Sequence, residues 1–598
     1  MQTEPAVFAD FRIDFFPVAE YNIQNIAGPR HFGAGTTRNA KTPSISSVPS
    51  IRQSENKESK RKNSNSRLEE ECRQLAEKSE QPAQTDRLRE RVNRISNEDA
   101  EWDRKPEMKL FITGHTDRYA LEQLQLCLFP EEPMEFCEEP FRGDGAVSKL
   151  SYGTKYLTAT AKITRNGITT RGIQRLAREK ETYALRRRIL QRAYYLAALP
   201  QLPAPPPWGA LSGVRPTKLS TRHLLAGGTA ESADRLMEEM FFVTPARRRL
   251  CVRASLASVE AAKLLAPSDV SVYIGIPFCP TRCSYCSFVS QTEGSAGKLL
   301  SPYLDCLLRE IQVVGEGMKR AGLTLRTLYI GGGTPTTLSA AQIKLLMEAI
   351  NRHFERSRLI EYTVEAGRPD TVDPEKLQII RALGANRVSI NPQTMNDAVL
   401  RTVGRPHTAA DIERAFAQAV EAGFASINMD LIAGLPGDDP ESFARSLDRV
   451  LALDPSNVTV HTLALKKGAD LFSRREGLPA QRDVETMVDH ANGVLTERGY
   501  APYYLYRQKY MSGSLENVGW CRDQDLCLYN IYMMEELSSI LALGGGAVSK
   551  RNLPDNRLER QCNPKYPKQY VERIEAVLAE KTALLEQLTS DGKTGIIT

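Results

Sequence analysis

The chain has 598 residues, 41% of them apolar, and 79 Lys and Arg against 73 Asp and Glu, a formal net charge of +6. That length exceeds one ordinary core, so two or more domains are expected, and so small a charge does not call for a nucleic-acid partner. No apolar run reaches the ~20 residues that cross a bilayer, the N-terminus lacks the basic-then-apolar order of a secretory signal, and eleven cysteines are too sparse for a disulfide scaffold, which points to a reducing cytoplasm.

Residues 1–107 differ from the rest. Thr42 to Glu107 is rich in Ser, Asn, Gln, Lys, Arg and Glu and poor in aromatics. It cannot bury enough apolar area to offset its ordering entropy, so a disordered low-complexity extension without catalytic residues is predicted. A transient charged helix over Gln74 to Ile95 is the most order expected there. The apolar run after Met108 reads as the first strand of a folded domain, which makes Met108 a candidate translation start. Residues 108–267 are predicted to form an α/β accessory domain. Its strand Lys109–Thr113 precedes an amphipathic stretch through Leu128, and Leu157 to Thr170 forms a hairpin about Asn166-Gly167, a good turn dipeptide. Ile173 to Leu199 reads as one long basic helix, with Arg186, Arg187 and Arg188 on a solvated face or against an acidic partner. The proline-rich Leu202 to Trp208 marks a boundary inside this domain.

From Val270 strands and helices alternate. Strands are predicted at Ser271–Pro277, Thr327–Gly331, Glu361–Ala366, Arg387–Asn391, Ser426–Ala433 and Asn457–Leu463. Helices are predicted at Leu299–Ala321, Ser339–Phe354, Pro374–Leu383, Ala409–Ala422, Pro440–Leu453 and Arg482–Arg498. Six βα units in succession imply an α/β fold with a parallel sheet, a partial (β/α)6 barrel over 268–500, with chemistry at the carboxyl ends of the strands. Residues 501–598 form a C-terminal segment expected to cover the opening. Its Tyr503, Tyr504, Tyr506 and Tyr510 read equally as cover for a ligand and as ordinary aromatics.

The first strand ends in Tyr273–Phe288, YIGIPFCPTRCSYCSF. Cys279, Cys283 and Cys286 in C-x3-C-x2-C spacing suit a soft metal site, most often an iron–sulfur cluster. Structural zinc would want a fourth ligand at a short interval, and none follows; the plain alternative is three core cysteines. Four other unusual sequences close later strands. Gly331-Gly-Gly-Thr-Pro335 lets a ligand approach the backbone. Glu365 is placed to accept from a ribose or an ammonium group, or to pair with Arg368. Gln393 precedes Arg405, whose guanidinium suits a carboxylate. Asp430 is a charge inside an apolar strand. Cys521 and Cys527 are too few for a second cluster.

These motifs resemble the radical S-adenosylmethionine (SAM) superfamily, and more narrowly the oxygen-independent coproporphyrinogen III oxidases, or coproporphyrinogen dehydrogenases. PPWGALSGVRPTKL (Pro206 to Leu219), SINPQTM and YLYRQKYM resemble the longer branch seen in bacilli and clostridia. The resemblance implies that Cys279, Cys283 and Cys286 hold a [4Fe–4S] cluster whose open iron binds SAM. Reductive cleavage of SAM then gives a radical that takes a hydrogen from a propionate β-carbon. Loss of CO2 and one electron leaves a vinyl, twice per coproporphyrinogen III, giving protoporphyrinogen IX in heme biosynthesis. It further implies Tyr273 beside the cluster and Tyr285 on the adenine. Gly332, Glu365 and Val548 would contact a first SAM, and Gly333, Thr334, Gln393, Arg405, Asp430 and Ala464 a second. Tyr273 and Arg405 are the catalytic candidates. Gly275 stands where better-known members carry His. Lys466, Lys467 and Arg507 are candidate partners for the substrate's carboxylates. A low-potential electron donor is implied, and a monomer is expected. Two rival functions are a heme chaperone on the same fold, whose C-terminal His-containing motif is replaced here by Cys527-Leu-Tyr-Asn-Ile-Tyr532, and a radical SAM enzyme acting on RNA through the basic helix.

Overall fold

The computed structural model describes residues 108–590, apart from 131, 289, 293–296, 467, 475, 509–511 and 554–556. The predicted disordered extension, Lys467 and Tyr510 lie outside the described residues. The first unit is a five-stranded mixed sheet, ordered β2-β1-β3-β4-β5, of β1 (Met108–Thr113), β2 (Met134–Cys137), β3 (Gly145–Tyr152), β4 (Tyr156–Arg165) and β5 (Ile168–Ala177). Helices α1 (Arg118–Leu128) and α2 (Tyr183–Ala198) share its core, in which Leu110, Leu124, Leu157, Ile163 and Ile189 are buried. The β4–β5 turn is the predicted one. Asn166 and Gly167 both take positive φ, and the Asp144 carboxylate accepts from both amides at 2.7 and 3.2 Å.

Two expectations fail here. The helix predicted from Ile173 begins at Tyr183, capped by Thr182 Oγ1, which accepts from the Leu185 amide. Residues 173–177 instead belong to β5. The inward face of that strand reads Gly172, Gln174 and Leu176, so its apolar alternation is hidden. A Cβ at Gly172 would lie 2.0 Å from Ala193 O, and Gln174 Oε1 accepts from Arg192 Nε at 3.0 Å, while Ile173 faces solvent at 53% exposure. Nor are the three arginines a solvated face: Arg187 lies over Tyr119 and Arg188 over Phe241, 3.8 Å from the ring centre, and Arg186 pairs with Glu181.

Past the prolines, α3 (Thr217–Leu225), α4 (Ala230–Phe241) and α5 (Pro245–Ala262) lead into the second sheet. Its centre is six parallel strands in sequence order: β6 (Asp269–Ile276), β9 (Thr324–Gly332), β10 (Glu361–Glu365), β11 (Arg387–Ser389), β12 (Ser426–Ala433) and β13 (Asn457–Thr462). Between β6 and β9 the short β7 (Phe278–Cys279) pairs with β8 (Gln291–Thr292). The connecting helices are α6 (Leu300–Ala321), α7 (Ala340–His353), α8 (Pro374–Ala382), α9 (Ala409–Glu421), α10 (Pro440–Ala452) and α11 (Gln481–Glu497). Each element lies on its predicted segment. The strands are Val-, Ile- and Leu-rich runs buried on both faces, as a parallel sheet sandwiched by helices requires.

The C-terminal segment lengthens this sheet at both edges. β14 (Ala501–Arg507) and β15 (Glu516–Cys521) add antiparallel beyond β13. On the other side β16 (Ile540–Leu543) runs parallel to β6, followed by β17 (Val548–Asn552) and β18 (Leu558–Cys562). Between them α12 (Leu528–Glu535) lies over the inner side, its Tyr529 ring 4.7 Å from Tyr329 and 6.2 Å from Tyr273. Helices α13 (Pro567–Glu572) and α14 (Ile574–Ser590) end the described chain. Among the described residues no helix is long and apolar enough to cross a membrane.

Candidate functional site

The cysteine loop is tied down on two sides. The Ser284 amide donates to Val403 O at 3.0 Å and Thr281 Oγ1 to Gly404 O at 3.2 Å. The Leu471 amide donates to Ser284 O at 2.9 Å, and Arg282 donates to Gly468 O. Cys279, Cys283 and Cys286 line one cavity of about 280 Å³ at the carboxyl end of the parallel strands. Tyr285, Gly332, Gly333, Thr334, Glu365, Gln393, Arg405, Asp430 and Ala464 line the same cavity. Tyr273 and Val548 do not. Tyr273 sits in the stack with Tyr329 and Tyr529, and Val548 opens β17, beyond β16. A second cavity of about 220 Å³ lies alongside; it shares Phe288, Glu365, Asp430, His461 and Tyr506 with the first and adds Tyr503 and Tyr504.

The three glycines at the end of β9, Gly331 to Gly333, have local reasons to be glycine. A Cβ at Gly333 would lie 2.5 Å from Phe278 O and 2.9 Å from Cys279 Sγ, and one at Gly331 would lie 2.8 Å from the Tyr329 ring. Gly332 has φ +118°, a region open to glycine. The motif thus presses the strand end against the cysteine loop, and Thr334 Oγ1 donates to Cys279 Sγ at 3.5 Å. Gln393 takes φ +67°, strained for a residue with a Cβ. Its amide donates to Asp430 O and its carbonyl accepts from Ile432 N, which hold it in place.

Glu365 ends β10 facing the cavity. Its carboxylate accepts from Tyr329 Oη at 2.7 Å and the Gly332 amide at 3.2 Å, not from Arg368. Burial, helped by nearby Asp430, pushes its pKa up to about 7 against those two donors. Asp430 is held below the ordinary range although burial opposes it, because His461, Asn428 and Thr459 surround it; Asn428 Nδ2 donates at 2.7 Å. Two carboxyls in one cavity are therefore pushed apart, a pattern typical of functional sites. His461, one strand over, carried no recognisable signal; only the pairing of β12 with β13 brings it there.

Arg405 is buried and almost fully engaged. Nη2 donates to Gly367 O and Asn391 O at 2.7 and 2.8 Å, Nη1 to Tyr285 Oη at 3.3 Å, and Nε to His407 Nε2 at 3.4 Å. Five guanidinium protons less these leave one on Nη1, so the two-bond carboxylate clamp expected of it has no free fork. Arg507 is removed from the substrate candidates. Its side chain is buried, donates to Leu211 O and Ser514 O and lies over Trp208. Lys466 does line the cavity. Arg368, which sequence reading treated only as a partner for Glu365, lines it too and pairs instead with Asp370.

Residues 273–450 match the family model of the radical SAM superfamily. The chain is 35% identical over 479 residues to the oxygen-independent coproporphyrinogen-III oxidase-like protein HemZ of Bacillus subtilis, covering 78% of this chain and 93% of that protein. It belongs to this oxidase-like branch of the radical SAM superfamily. The chain is also similar to a heme chaperone: HemW of Bacillus subtilis is 39% identical over 240 residues, 39% of this chain and 62% of the chaperone. Among solved structures, the Escherichia coli coproporphyrinogen III oxidase HemN aligns at 28% identity and a TM-score of 0.43, covering 54% of this chain and 73% of that one.

Radical SAM proteins use a [4Fe–4S] cluster and SAM, and the residues present fit both. Three thiols border one cavity with the buried Arg368 guanidinium 3.9 Å from Cys283 Sγ, soft ligands and a cation for an anionic cluster. Among the described residues no three His, Cys, Asp or Glu side chains close on a site for a single ion, while Cys279, Cys283 and Cys286 all line the one cavity. Carboxylates at Glu365 and Asp430 suit the ammonium and hydroxyls of SAM.

Proposed function

We propose that Cys279, Cys283 and Cys286 hold the cluster and that the chain oxidatively decarboxylates two propionates of coproporphyrinogen III to vinyls. The observation that carries this is the convergence of the three thiols, Glu365, Asp430 and Arg405 on one cavity, in a chain that spans nearly all of an oxidase-like relative. When bound, the cluster and SAM supply the low-potential electron and the radical that removes the propionate β-hydrogen. The protein's part is placement. Glu365 and the Gly332 backbone receive one SAM, while Gln393, Asp430 and the remaining Nη1 proton of Arg405 face a second. Tyr285 orients the adenine, held by Arg405. The Tyr273–Tyr329–Tyr529 stack closes the inner side against water. Each decarboxylation releases CO2 and one electron, so an external donor and a one-electron acceptor complete the balance.

Gly275 is not forced by packing. A Cβ there would meet Leu543 O and Tyr273 Cε1 at 3.4 Å, ordinary contact. The absent side chain leaves room rather than relieving a clash.

The test is anaerobic incubation of reconstituted protein with SAM, reductant and coproporphyrinogen III. Deoxyadenosine together with monovinyl and divinyl products is expected. Deoxyadenosine without vinyl products would exclude this substrate, and stoichiometric heme binding with transfer to an acceptor would favour the chaperone reading. Cys283→Ala should abolish cluster absorbance and SAM cleavage together.

A further inference from the structure

One buried cation at the site takes no part in the SAM and propionate steps above. Arg368, in the turn after β10, is 3% exposed. Its Nη1 donates to Thr281 Oγ1 at 3.0 Å and to Cys283 Sγ at 3.9 Å. Nε and Nη2 donate to the two Asp370 oxygens at 2.8 and 2.7 Å, a two-bond pair that fixes the guanidinium plane. Asp370 also faces His407 Nδ1 at 3.4 Å, while His407 Nε2 accepts from Arg405 Nε. An imidazole that accepts at Nε2 carries its proton on Nδ1, turned towards Asp370. Burial, with the Arg405 and Arg368 guanidiniums nearby, keeps that ring neutral against the pull of Asp370. The result is a row of contacts from Cys283 through Arg368, Asp370, His407 and Arg405 to Tyr285, in which Asp370 and His407 Nδ1 approach to 3.4 Å without a formed hydrogen bond.

We propose that Arg368 sets the reduction potential of the cluster, with Asp370 as the residue that orients it and offsets its charge. This rests on the assignment of Cys283 as a cluster ligand, not on the identity of the tetrapyrrole. A reduced cluster carries one more negative charge than an oxidised one. A buried guanidinium donating to a ligand sulfur stabilises the reduced form and raises the potential, since hydrogen bonds to sulfur and local charge are principal determinants of cluster potentials. Asp370 works in the opposite direction but more weakly, because its outer side borders an open cleft with Pro406 and Arg414 and is screened by water. The pair therefore leaves a net positive bias at Cys283. Arg368 is a positioning residue: it acts through the ligand sulfur.

The experiment is a redox titration of the full-length protein, reconstituted with iron and sulfide and followed by electron paramagnetic resonance without SAM or tetrapyrrole. Arg368→Gln should shift the midpoint to more negative values, and Asp370→Asn should shift it by less, to more positive values. Arg368→Lys, which keeps the charge but loses the planar fork, should fall between wild type and Arg368→Gln. Opposite signs for the first two are the signature, because damage to packing lowers occupancy in both without moving their midpoints apart. An Arg368→Gln midpoint equal to wild type at full occupancy overturns the proposal. If Arg368→Gln fails to take up cluster, an Asp370→Asn midpoint at or below wild type overturns it. Cluster absorbance surviving in Cys283→Ala would instead sink the ligand assignment beneath it.

Discussion

Glu365 is the residue whose environment makes the sharpest prediction. Its carboxyl is raised to about 7 by burial, above the ordinary ~4.3 of an exposed glutamate. Below the unfolded value it is protonated in both states and costs nothing. Between the two values the folded state binds the extra proton, so stability falls as pH rises and the loss is complete above about 7. Glu365→Gln removes this titration. The stability of the variant relative to wild type, read from thermal unfolding of the protein without cofactors, should improve between pH 5 and 8 by on the order of 2 kcal/mol. A difference that stays constant across that range would show the carboxyl is not held as described. The same substitution should weaken SAM binding at pH 8 by roughly tenfold or more, the worth of one charge-assisted hydrogen bond. A group that destabilises the empty site and strengthens the filled one is what a binding residue looks like energetically.

At the scale of elements, one buried ion pair fastens the C-terminal helices to the barrel. Glu310 on α6 is fully buried, accepting from the Gly544 amide, Tyr570 Oη and Asn563 Nδ2 at 2.8, 2.6 and 2.9 Å. Lys581 on α14 lies 3.8 Å from it and donates to Ala542 O and Ser549 Oγ. The cluster thereby ties α6, β16, β17 and α14 into one unit behind Gly275, whose carbonyl accepts from Tyr303 Oη. Lys581→Met strands a buried carboxylate and should lower unfolding free energy by about 3–5 kcal/mol, whereas adding Glu310→Gln should recover much of the loss. Urea denaturation of the two variants checks this, and equal destabilisation would mean the ion pair is not what matters. The alternating core was legible because parallel strands are apolar on both faces and four of the six connecting helices carry a side-chain cap: Ser339, Asp373, Thr408 and Asp439 all accept from amides in the first turn. The Cys279–Cys286 loop, Glu365 and Gln393 stood out as polar or metal-binding residues at or just past the end of an apolar strand, Asp430 as a charge inside one, and Arg405 as a guanidinium in the loop after Gln393. Hidden were features that exist only through pairing. Arg368 finds Asp370 rather than Glu365, His461 reaches the site by strand register, and β5 buries glycine and glutamine where its pattern promised a helix. Sheet edges were equally silent, because β16 joins β6 from far along the chain, with Ile540 beside Ser271 and the hydroxyls of Ser271 and Ser538, 267 residues apart, meeting just before it.

Across the whole molecule, buried side chains divide into two main cores at a place other than residue 267. Met108 to Ala210 pack around the small sheet, but Trp208, Leu211, Met237, Phe241, Leu250 and Ala254 belong to the core of the large one. Helices α3 to α5, sequentially part of the expected accessory domain, thus serve the barrel. Glu516 on β15 is the fixed point. It accepts from Trp208 Nε1 at 2.7 Å and pairs with Arg247 Nε at 2.8 Å, all three nearly without exposure. Burial of the Trp208 ring alone is worth on the order of 3 kcal/mol, and the joint to the small sheet is thinner, made of Arg188 over Phe241, Tyr195 against Phe242 and Arg192 donating to Glu239 O. The physical boundary therefore falls at the prolines before Trp208. A chain beginning at residue 205 should remain soluble, unfold cooperatively and retain cluster absorbance after reconstitution. A chain beginning at residue 268 loses α5 from the face of β14 and leaves the Glu516 carboxylate without either partner. It should precipitate, or melt at least 10 °C lower, since several kcal/mol are lost and a large domain shifts by roughly 2–4 °C per kcal/mol. Matching melting curves and cluster content for the two chains would place the boundary at 267 after all, and make α3 to α5 part of the small domain in energy as well as in sequence.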